Sequence, residues 1–288
     1  MMIIDTHVHM WDLKQLSLPW LEVSPTFKVF NRSLDPDDYG EDVAEIPLEK
    51  AIFIETDVAP QQLDKEVELV TEICRRADNP FCGMVIGVDF FARSFRDYID
   101  RHARNPFVKG VRRPVVMPDH RVEHFYPEDT IIDHLHYVGQ KGLHVEICFR
   151  YQDLHFAIEL AKHCPETQFV LNHCGNPLAD PVKELPTVWQ EAIARLGALE
   201  NVACKISGII DIGNADVWQL TDTSKVVDIC VEAFGEDRIC FGSNWPVCWM
   251  RTTIKDWYEF LIAHLAQSYN DSLRRKFFYG NAVKIYRL

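Results

Sequence analysis

The 288-residue sequence has no excess of basic residues. Lys and Arg together number 30 against 43 Asp and Glu, which gives a formal net charge of −13 and a pI near 5.3. A protein that follows a phosphate backbone needs a basic surface. We therefore do not expect a nucleic acid as a partner.

Long apolar runs and paired cysteine motifs are also missing. No window approaches 18 uninterrupted apolar residues, so we expect no membrane span, and the first residues carry no basic leader, so we expect a cytoplasmic protein. The nine cysteines are unevenly spaced and include no C-x-x-C pair. Because most lie in apolar, strand-like runs, we interpret them as reduced core residues rather than disulfide or zinc ligands.

Glycine-rich nucleotide loops and flexible linkers are absent too, which disfavours dinucleotide-binding and P-loop folds. Instead, near-continuous apolar runs alternate with amphipathic helical stretches, which is typical of parallel strands that are covered on both faces. Eight such runs predict a single (β/α)₈ barrel domain over residues 1–288. The predicted strands are 2–8, 50–56, 82–89, 108–116, 144–149, 168–173, 201–207 and 238–243.

One stretch, residues 10–49, is too long for a simple crossover and is rich in aromatic side chains. It follows the first strand, at the C-terminal rim where barrel enzymes keep their active sites. Two interpretations stay open: a lid over the barrel mouth, or a loop packed by its own aromatic residues.

The first strand ends with His7 and His9, and residues i and i+2 of a strand point to the same side. Two imidazoles at one point can bind a metal or polarise a carbonyl group. His173 stands at the end of the sixth strand, and Asn244 and Trp245 follow the eighth. The carboxyl ends of barrel strands meet at one rim, so we expect His173 to face the same cavity as His7 and His9.

Together these segments resemble the amidohydrolase superfamily, in the branch of metal-optional sugar-acid lactonases that act on fuconolactone- or rhamnonolactone-like substrates. The resemblance spans essentially the whole chain. The motifs that carry it are Ile4-Asp5-Thr6-His7-Val8-His9, Pro19-Trp20-Leu21, Glu55, Lys109-Gly110-Val111-Arg112, Asn172-His173-Cys174-Gly175, Lys205-Ile206-Ser207-Gly208 and Gly242-Ser243-Asn244-Trp245-Pro246-Val247.

The sequence departs from this family pattern at Asn244, where the family has Asp. That Asp ligates a metal or accepts a proton from the attacking water, and a carboxamide can orient water but cannot deprotonate it. Three interpretations follow. Glu55, Glu146 or His173 could be the base; a metal held by His7, His9 and His173 could acidify the water; or the chain could bind without hydrolysing.

Further candidates for substrate binding come from the middle strands. Arg112 and Lys205 can supply positive charge to an oxyanion or a substrate carboxylate, and Glu146 is expected to face the barrel interior. Trp245 could stack on a sugar ring or merely pack.

We therefore expect a hydrolase that opens the ring ester of a small sugar-acid lactone, with either no cofactor or one divalent ion, Zn²⁺ or Mn²⁺. The alternatives are a metal-dependent decarboxylase of the same superfamily and a non-catalytic sugar-acid binder.

Overall fold

Eight parallel strands form one sheet in the order β1 to β8. The computed structural model describes residues 1–23, 25–115, 129–178, 184–211 and 219–288. The strands are β1 (Ile3–Val8), β2 (Leu48–Ile54), β3 (Phe81–Gly87), β4 (Val108–Val115), β5 (His144–Phe149), β6 (Phe169–Leu171), β7 (Val202–Ile206) and β8 (Ile239–Phe241). The predicted (β/α)₈ barrel is confirmed, and every predicted strand is present.

The sheet closes where the first strand meets the segment after the last one. The amide of Asn244 donates to the His7 carbonyl (2.9 Å), and the amide of His9 donates to the Trp245 carbonyl (2.7 Å). Because these bonds join the ends of β1 and β8, they also bring the sequence motifs of the two strands together at one rim.

Helices cover the outside of the barrel. Those of the described residues are α1 (Pro36–Asp42), α2 (Leu63–Arg75), α3 (Phe95–His102), α4 (Asp129–Gln140), α5 (Leu154–His163), α6 (Thr187–Gly197), α7 (Thr223–Phe234), α8 (Ile254–Ser268), α9 (Asp271–Arg275) and α10 (Asn281–Tyr286). None of these helices is long and apolar enough to cross a membrane. A large apolar cluster fills the space between barrel and helices.

The opposite, N-terminal end of the barrel is filled by the last helix. Ala282 and Tyr286 of α10 pack against Ile4, Ile52 and Val85, which form a smaller apolar cluster. The barrel is therefore closed at this end and accessible from the rim that carries the strand-end motifs.

The long segment between β1 and β2 folds mainly into two 3₁₀ turns, Pro19–Glu22 and Pro25–Phe30, followed by α1. The Trp20 ring contacts Trp11 and Phe27 edge-on, with ring centroids 5.7 and 5.3 Å apart. The Trp20 indole N–H donates to the Thr56 carbonyl, which anchors the segment to the end of β2 (2.8 Å). The segment is thus packed by its own aromatic residues, as one of the two interpretations expected.

Candidate active site

His7 and His9 lie side by side at the end of β1, with their Nε2 atoms 3.1 Å apart. Nδ1 of His9 is within hydrogen-bond distance of two carbonyl oxygens, those of Ile54 (2.9 Å) and Glu55 (3.0 Å). A carbonyl oxygen only accepts, so His9 carries its proton on Nδ1 and offers a lone pair at Nε2.

Lys205 fixes the tautomer of His7. Its Nζ lies 3.2 Å from His7 Nδ1, and an ammonium group only donates, so the proton of His7 is on Nε2. The two rings therefore form a chain in which Lys205 donates to His7, His7 donates to His9, and His9 donates to the end of β2.

His173 reaches the same point through an irregular end of β6. The chain leaves the strand after Leu171, and His173 and Cys174 adopt left-handed backbone angles (φ 53° and 51°). The His173 ring then lies 4.5 Å, centroid to centroid, from that of His7, and Ser207 Oγ contacts its Nδ1 (2.9 Å). Gly208 makes room, because a Cβ at this position would lie 2.4 Å from the His173 ring.

A buried ion pair lies beneath the histidines, inside the barrel. Lys205 Nζ donates a shared hydrogen to the two carboxylate oxygens of Glu146 (2.8 Å each) and another to the Thr6 carbonyl (2.8 Å). Glu146 also accepts from the Asn172 amide (2.7 Å) and the Tyr286 hydroxyl (2.8 Å). Burial raises the pKa of Glu146, but Lys205 and His144 outweigh this effect and hold that pKa well below its usual range. Glu146 is thus a permanent anion, which makes it a poor proton acceptor.

Arg112 is held rigidly by side chains from neighbouring strands. Its Nη1 donates to Glu55 (2.6 Å), its Nε to Asn172 (2.9 Å), and its Nη2 contacts the Cys148 sulfur (3.2 Å). Burial raises the pKa of Glu55, and the Arg112 charge partly offsets this effect. The pKa of Glu55 therefore lies above that of an exposed glutamate.

Asn244 completes the ring of strand-end residues. Its backbone is left-handed (φ 62°), a conformation that asparagine tolerates better than most residues. Its Nδ2 donates to the buried carboxylate of Asp211, which follows β7 (2.9 Å).

A cavity of about 400 Å³ opens at this rim. The predicted site residues on its wall are His9, Glu55, Arg112, His173 and Asn244, and the aromatic side chains of Trp11, Trp20 and Phe27 face it from the rim segment. The rim segment therefore forms one side of the cavity as well as packing on itself.

The other four candidates are not among the described residues of the cavity wall. His7, Glu146 and Lys205 lie directly beneath it, linked to the wall by the hydrogen bonds above. Trp245 is fully buried, its indole N–H donates to Asp42 (2.7 Å), and its ring packs on Tyr39. Of the two interpretations of Trp245, stacking on a sugar or packing, the structure corrects the first: the side chain has no exposed face and packs at the barrel seam.

All three histidines are held uncharged. Burial, followed by the nearby Arg112 charge, lowers the pKa of His9 to about 3. Burial also lowers the pKa of His7 and of His173 well below the usual value, with Lys205 and Arg112 contributing. Near neutral pH, the wall therefore presents neutral imidazoles beside one fixed cation.

Sequence reasoning missed four residues that organise this site: Asp5, Asn172, Asp211 and Tyr286. Asp5 accepts the amides of His7 and Ser243 and the Tyr39 hydroxyl, which ties β1 to the loop after β8. Asp5 and Asn172 lie inside the motifs that carry the family resemblance, so a signal for them existed. Asp211 and Tyr286 lie outside every motif.

The matching family model, described as Amidohydrolase, covers residues 4–288. The chain belongs to the amidohydrolase family. It is accordingly a hydrolase, as the sequence predicted.

Individual relatives are distant but align along almost the full length. An L-rhamnono-gamma-lactonase of Scheffersomyces stipitis is 24% identical, with 99% of this chain and 98% of that protein covered. An L-fucono-1,5-lactonase of Burkholderia ambifaria is 23% identical, with 99% and 95% covered. The crystal structure of a Burkholderia multivorans amidohydrolase with bound zinc superposes with a TM-score of 0.88 at 21% identity, and both chains are covered completely.

The zinc in that neighbour raises the question whether the present residues fit a divalent ion. An ion bound to both Nε2 atoms would require the proton of His7 on Nδ1, where the Lys205 ammonium group already donates. In the described part of the chain, the sole set of three ligand atoms that lie within 4.8 Å of one another belongs to Cys174, Cys204 and Cys230, outside this cavity.

Position 244 offers an amide and no carboxylate, and Arg112 and Lys205 add positive charge beside the histidines. In this arrangement the donor set does not fit a divalent ion. Ligation of a metal ion by His7, His9 and His173 stays a prediction.

Proposed function

We propose that this amidohydrolase hydrolyses the ring ester of a small sugar-acid lactone. Two lactonase-named relatives that align along nearly the whole chain support this substrate class. A cavity of about 400 Å³ lies at the small end of ligand pockets and suits a single sugar ring. Aromatic residues on one side and polar groups on the other match the two kinds of surface that a sugar presents.

The observation that carries the proposal is the arrangement of Arg112. Its three nitrogens each donate one hydrogen bond to a protein acceptor in the described part of the chain, which leaves one hydrogen on each of Nη1 and Nη2. A guanidinium fixed in this way can bind the lactone carbonyl oxygen and stabilise the negative charge that develops on it. Because the donors are already oriented, little reorganisation is needed during the reaction.

The reaction then proceeds by addition and ring opening. A water whose hydrogen is accepted by Asn244 Oδ1 attacks the carbonyl carbon, and the carbonyl oxygen takes up negative charge beside Arg112. Collapse of the tetrahedral intermediate breaks the ring C–O bond, and the leaving alkoxide takes the proton that the water lost. The product is the open hydroxy acid.

Two groups on the cavity wall can carry that proton, Glu55 and His173. Glu55 has a pKa raised by burial, and His173 is an uncharged imidazole. Glu55→Gln and His173→Gln separate them: loss of the true proton carrier lowers kcat by about 10²-fold or more and removes one limb of the pH–rate profile.

The test is a pH-indicator screen of aldonolactones, run with EDTA and again with added Zn²⁺ or Mn²⁺. We expect turnover in EDTA, and we expect Arg112→Met to lower kcat/KM by about 10²-fold or more. Arg113→Met is the matched control, because Arg113 is the next residue of β4, is only partly buried and is not among the described cavity-wall residues.

Other results would contradict the proposal. Activity that appears only with a stoichiometric divalent ion, together with CO₂ release from an aromatic acid, would favour the decarboxylase alternative. Calorimetric binding of aldonic acids without any turnover would favour the non-catalytic binder.

A further inference from the structure

The loop after β7 places the buried carboxylate of Asp211 behind Asn244. Gly208 adopts a left-handed conformation (φ 57°) and passes directly under the His173 ring, where a side chain would clash. The three residues that follow bring Asp211 to Asn244, and the Asp211 side chain is almost completely buried (3% exposed). The hydrogen bond from Asn244 Nδ2 is the one that the structure describes for this carboxylate.

This contact determines which end of the Asn244 amide faces the cavity. The Asn244 backbone is fixed by its bond to the His7 carbonyl, so its side chain can exchange Nδ2 and Oδ1 only by rotating the amide group. A carboxylate can only accept and therefore holds Nδ2, which leaves Oδ1 on the side of the cavity. A protonated carboxyl group would instead donate to Oδ1 and leave the NH₂ group facing the cavity.

The two orientations act differently on an attacking water. Oδ1 accepts a hydrogen of the water and leaves an oxygen lone pair free to attack a carbonyl carbon. The NH₂ group would donate to one of the two lone pairs, which makes the water less nucleophilic and turns it away from the orientation for attack. We propose that Asp211 is a positioning residue that, as a carboxylate, holds Asn244 in the orientation that binds the nucleophilic water, an inference that rests on the proposed lactone hydrolysis.

Asp211 changes its charge near neutral pH. Burial raises its pKa to about 7, although the Asn244 hydrogen bond and the Arg251 charge each lower it. Among the described residues, the other titratable side chain that interacts with it is that of Cys248, whose pKa burial raises well above its ordinary value. Cys248 therefore stays a thiol near neutral pH, and of these two groups Asp211 is the one that titrates there.

The first test compares pH profiles. In the wild type we expect kcat/KM to fall below about pH 7, mainly through kcat, because the water and not the sugar is misplaced. Asp211→Asn keeps an acceptor for Asn244 but cannot titrate, so this acid limb should disappear while kcat/KM at pH 8 falls by ~10-fold or less. Asp228→Asn is the control, since Asp228 accepts from His264 and Tyr269 away from the rim. An unchanged acid limb in Asp211→Asn would overturn the inference.

The second test needs no substrate, so it separates this inference from the proposed function. Aspartate carboxyl carbons are labelled with ¹³C, and the Asp211 signal is identified by its loss in Asp211→Asn. Asn244→Ala removes the donor from the carboxylate, so we expect the titration midpoint of Asp211 to rise by about one pH unit. The same midpoint in wild type and Asn244→Ala would show that the two residues are not coupled and would reject the inference even if lactones are hydrolysed.

Discussion

The most direct test of the barrel interior is the substitution Lys205→Met. Methionine fills nearly the same volume, so the change removes the charge without leaving a large cavity. The lost contacts are those to the Glu146 carboxylate, whose two oxygens share one ammonium hydrogen, to the Thr6 carbonyl and to His7 Nδ1. Glu146 keeps the amide of Asn172 and the hydroxyl of Tyr286 as donors but has no cation beside it.

Removing one partner of a buried ion pair typically destabilises a protein by about 3–5 kcal/mol, because the remaining charge is left uncompensated. Because Glu146 retains two hydrogen-bond donors, we expect the loss in free energy of unfolding to lie within that range rather than above it. A typical domain has a free energy of unfolding of about 5–15 kcal/mol, so we expect Lys205→Met to remove about a fifth or more of the total.

The sign of the pH dependence follows from Glu146. In the wild type its pKa is depressed, so its stabilising contribution is present above the unfolded-state value and is lost as the pH falls through the folded-state value. Without Lys205, burial dominates and raises that pKa. The free energy of unfolding of the variant should therefore decrease as the pH rises. The difference in free energy of unfolding between wild type and variant should be greater at pH 8 than at pH 5.

The assay is urea denaturation followed by tryptophan fluorescence and by circular dichroism, at both pH values. Lys141→Met is the control, because Lys141 pairs with Asp100 at the surface and should cost about 1 kcal/mol or less. Lys205→Met combined with Glu146→Gln should cost clearly less than the sum of the two single variants. A cost below about 1 kcal/mol for Lys205→Met, or strict additivity in the double variant, would refute the assignment of a strong interior pair.

Three further predictions concern the rim. His7→Ala and His9→Ala should each lower kcat/KM by about 10²-fold, with the double variant little worse than either, and full activity in both single variants would remove them from the site. Asn244→Asp would place a carboxylate about 2.9 Å from that of Asp211, so the pKa of one of the two groups should rise. The acid limb of the pH–rate profile should then move to higher pH. A profile identical to that of the wild type would contradict the contact between the two residues. Trp20→Ala should raise KM by ~10-fold with little change in kcat, because Trp20 faces the cavity from the rim segment; an unchanged KM on a lactone that is turned over would show that it does not touch substrate.

The barrel was predictable because strands that are buried on both faces appear as continuous apolar runs. Several strands end one or two residues earlier than predicted, among them β6, which stops at Leu171, and β8, which stops at Phe241. The residues just beyond, His173 and Asn244, adopt left-handed conformations that an apolar pattern does not reveal. The structure therefore departs from the regular pattern where the strand ends are bent into the cavity wall.

The apolar pattern of the sequence does not indicate α1 or α10, for different reasons. The sequence of α1 is polar and acidic, so it has no apolar period, and its start is fixed by the Asp35 cap rather than by burial. The helix α10 follows a π-helical turn, Lys276–Gly280, which interrupts the helical period.

Among the site residues, His7, His9 and His173 were predictable because each lies at the end of an apolar strand. Asp211 was not, because its role depends on a contact with a residue of another strand end. Tyr286 was not predictable either, since no local pattern indicates that a tyrosine of the last helix reaches the barrel interior.

That last contact has a consequence for synthesis of the chain on the ribosome. The interior cluster joins Thr6 of the first strand to Tyr286 of the last helix through Lys205 and Glu146. Until the final helix has left the exit tunnel, the nascent barrel has a buried carboxylate without one of its donors and an open end lined with Ile4, Ile52 and Val85. Contacts between such distant parts of a chain form late, so a ribosome-bound intermediate should expose these apolar residues and should be a substrate for chaperones and proteases until α10 has emerged.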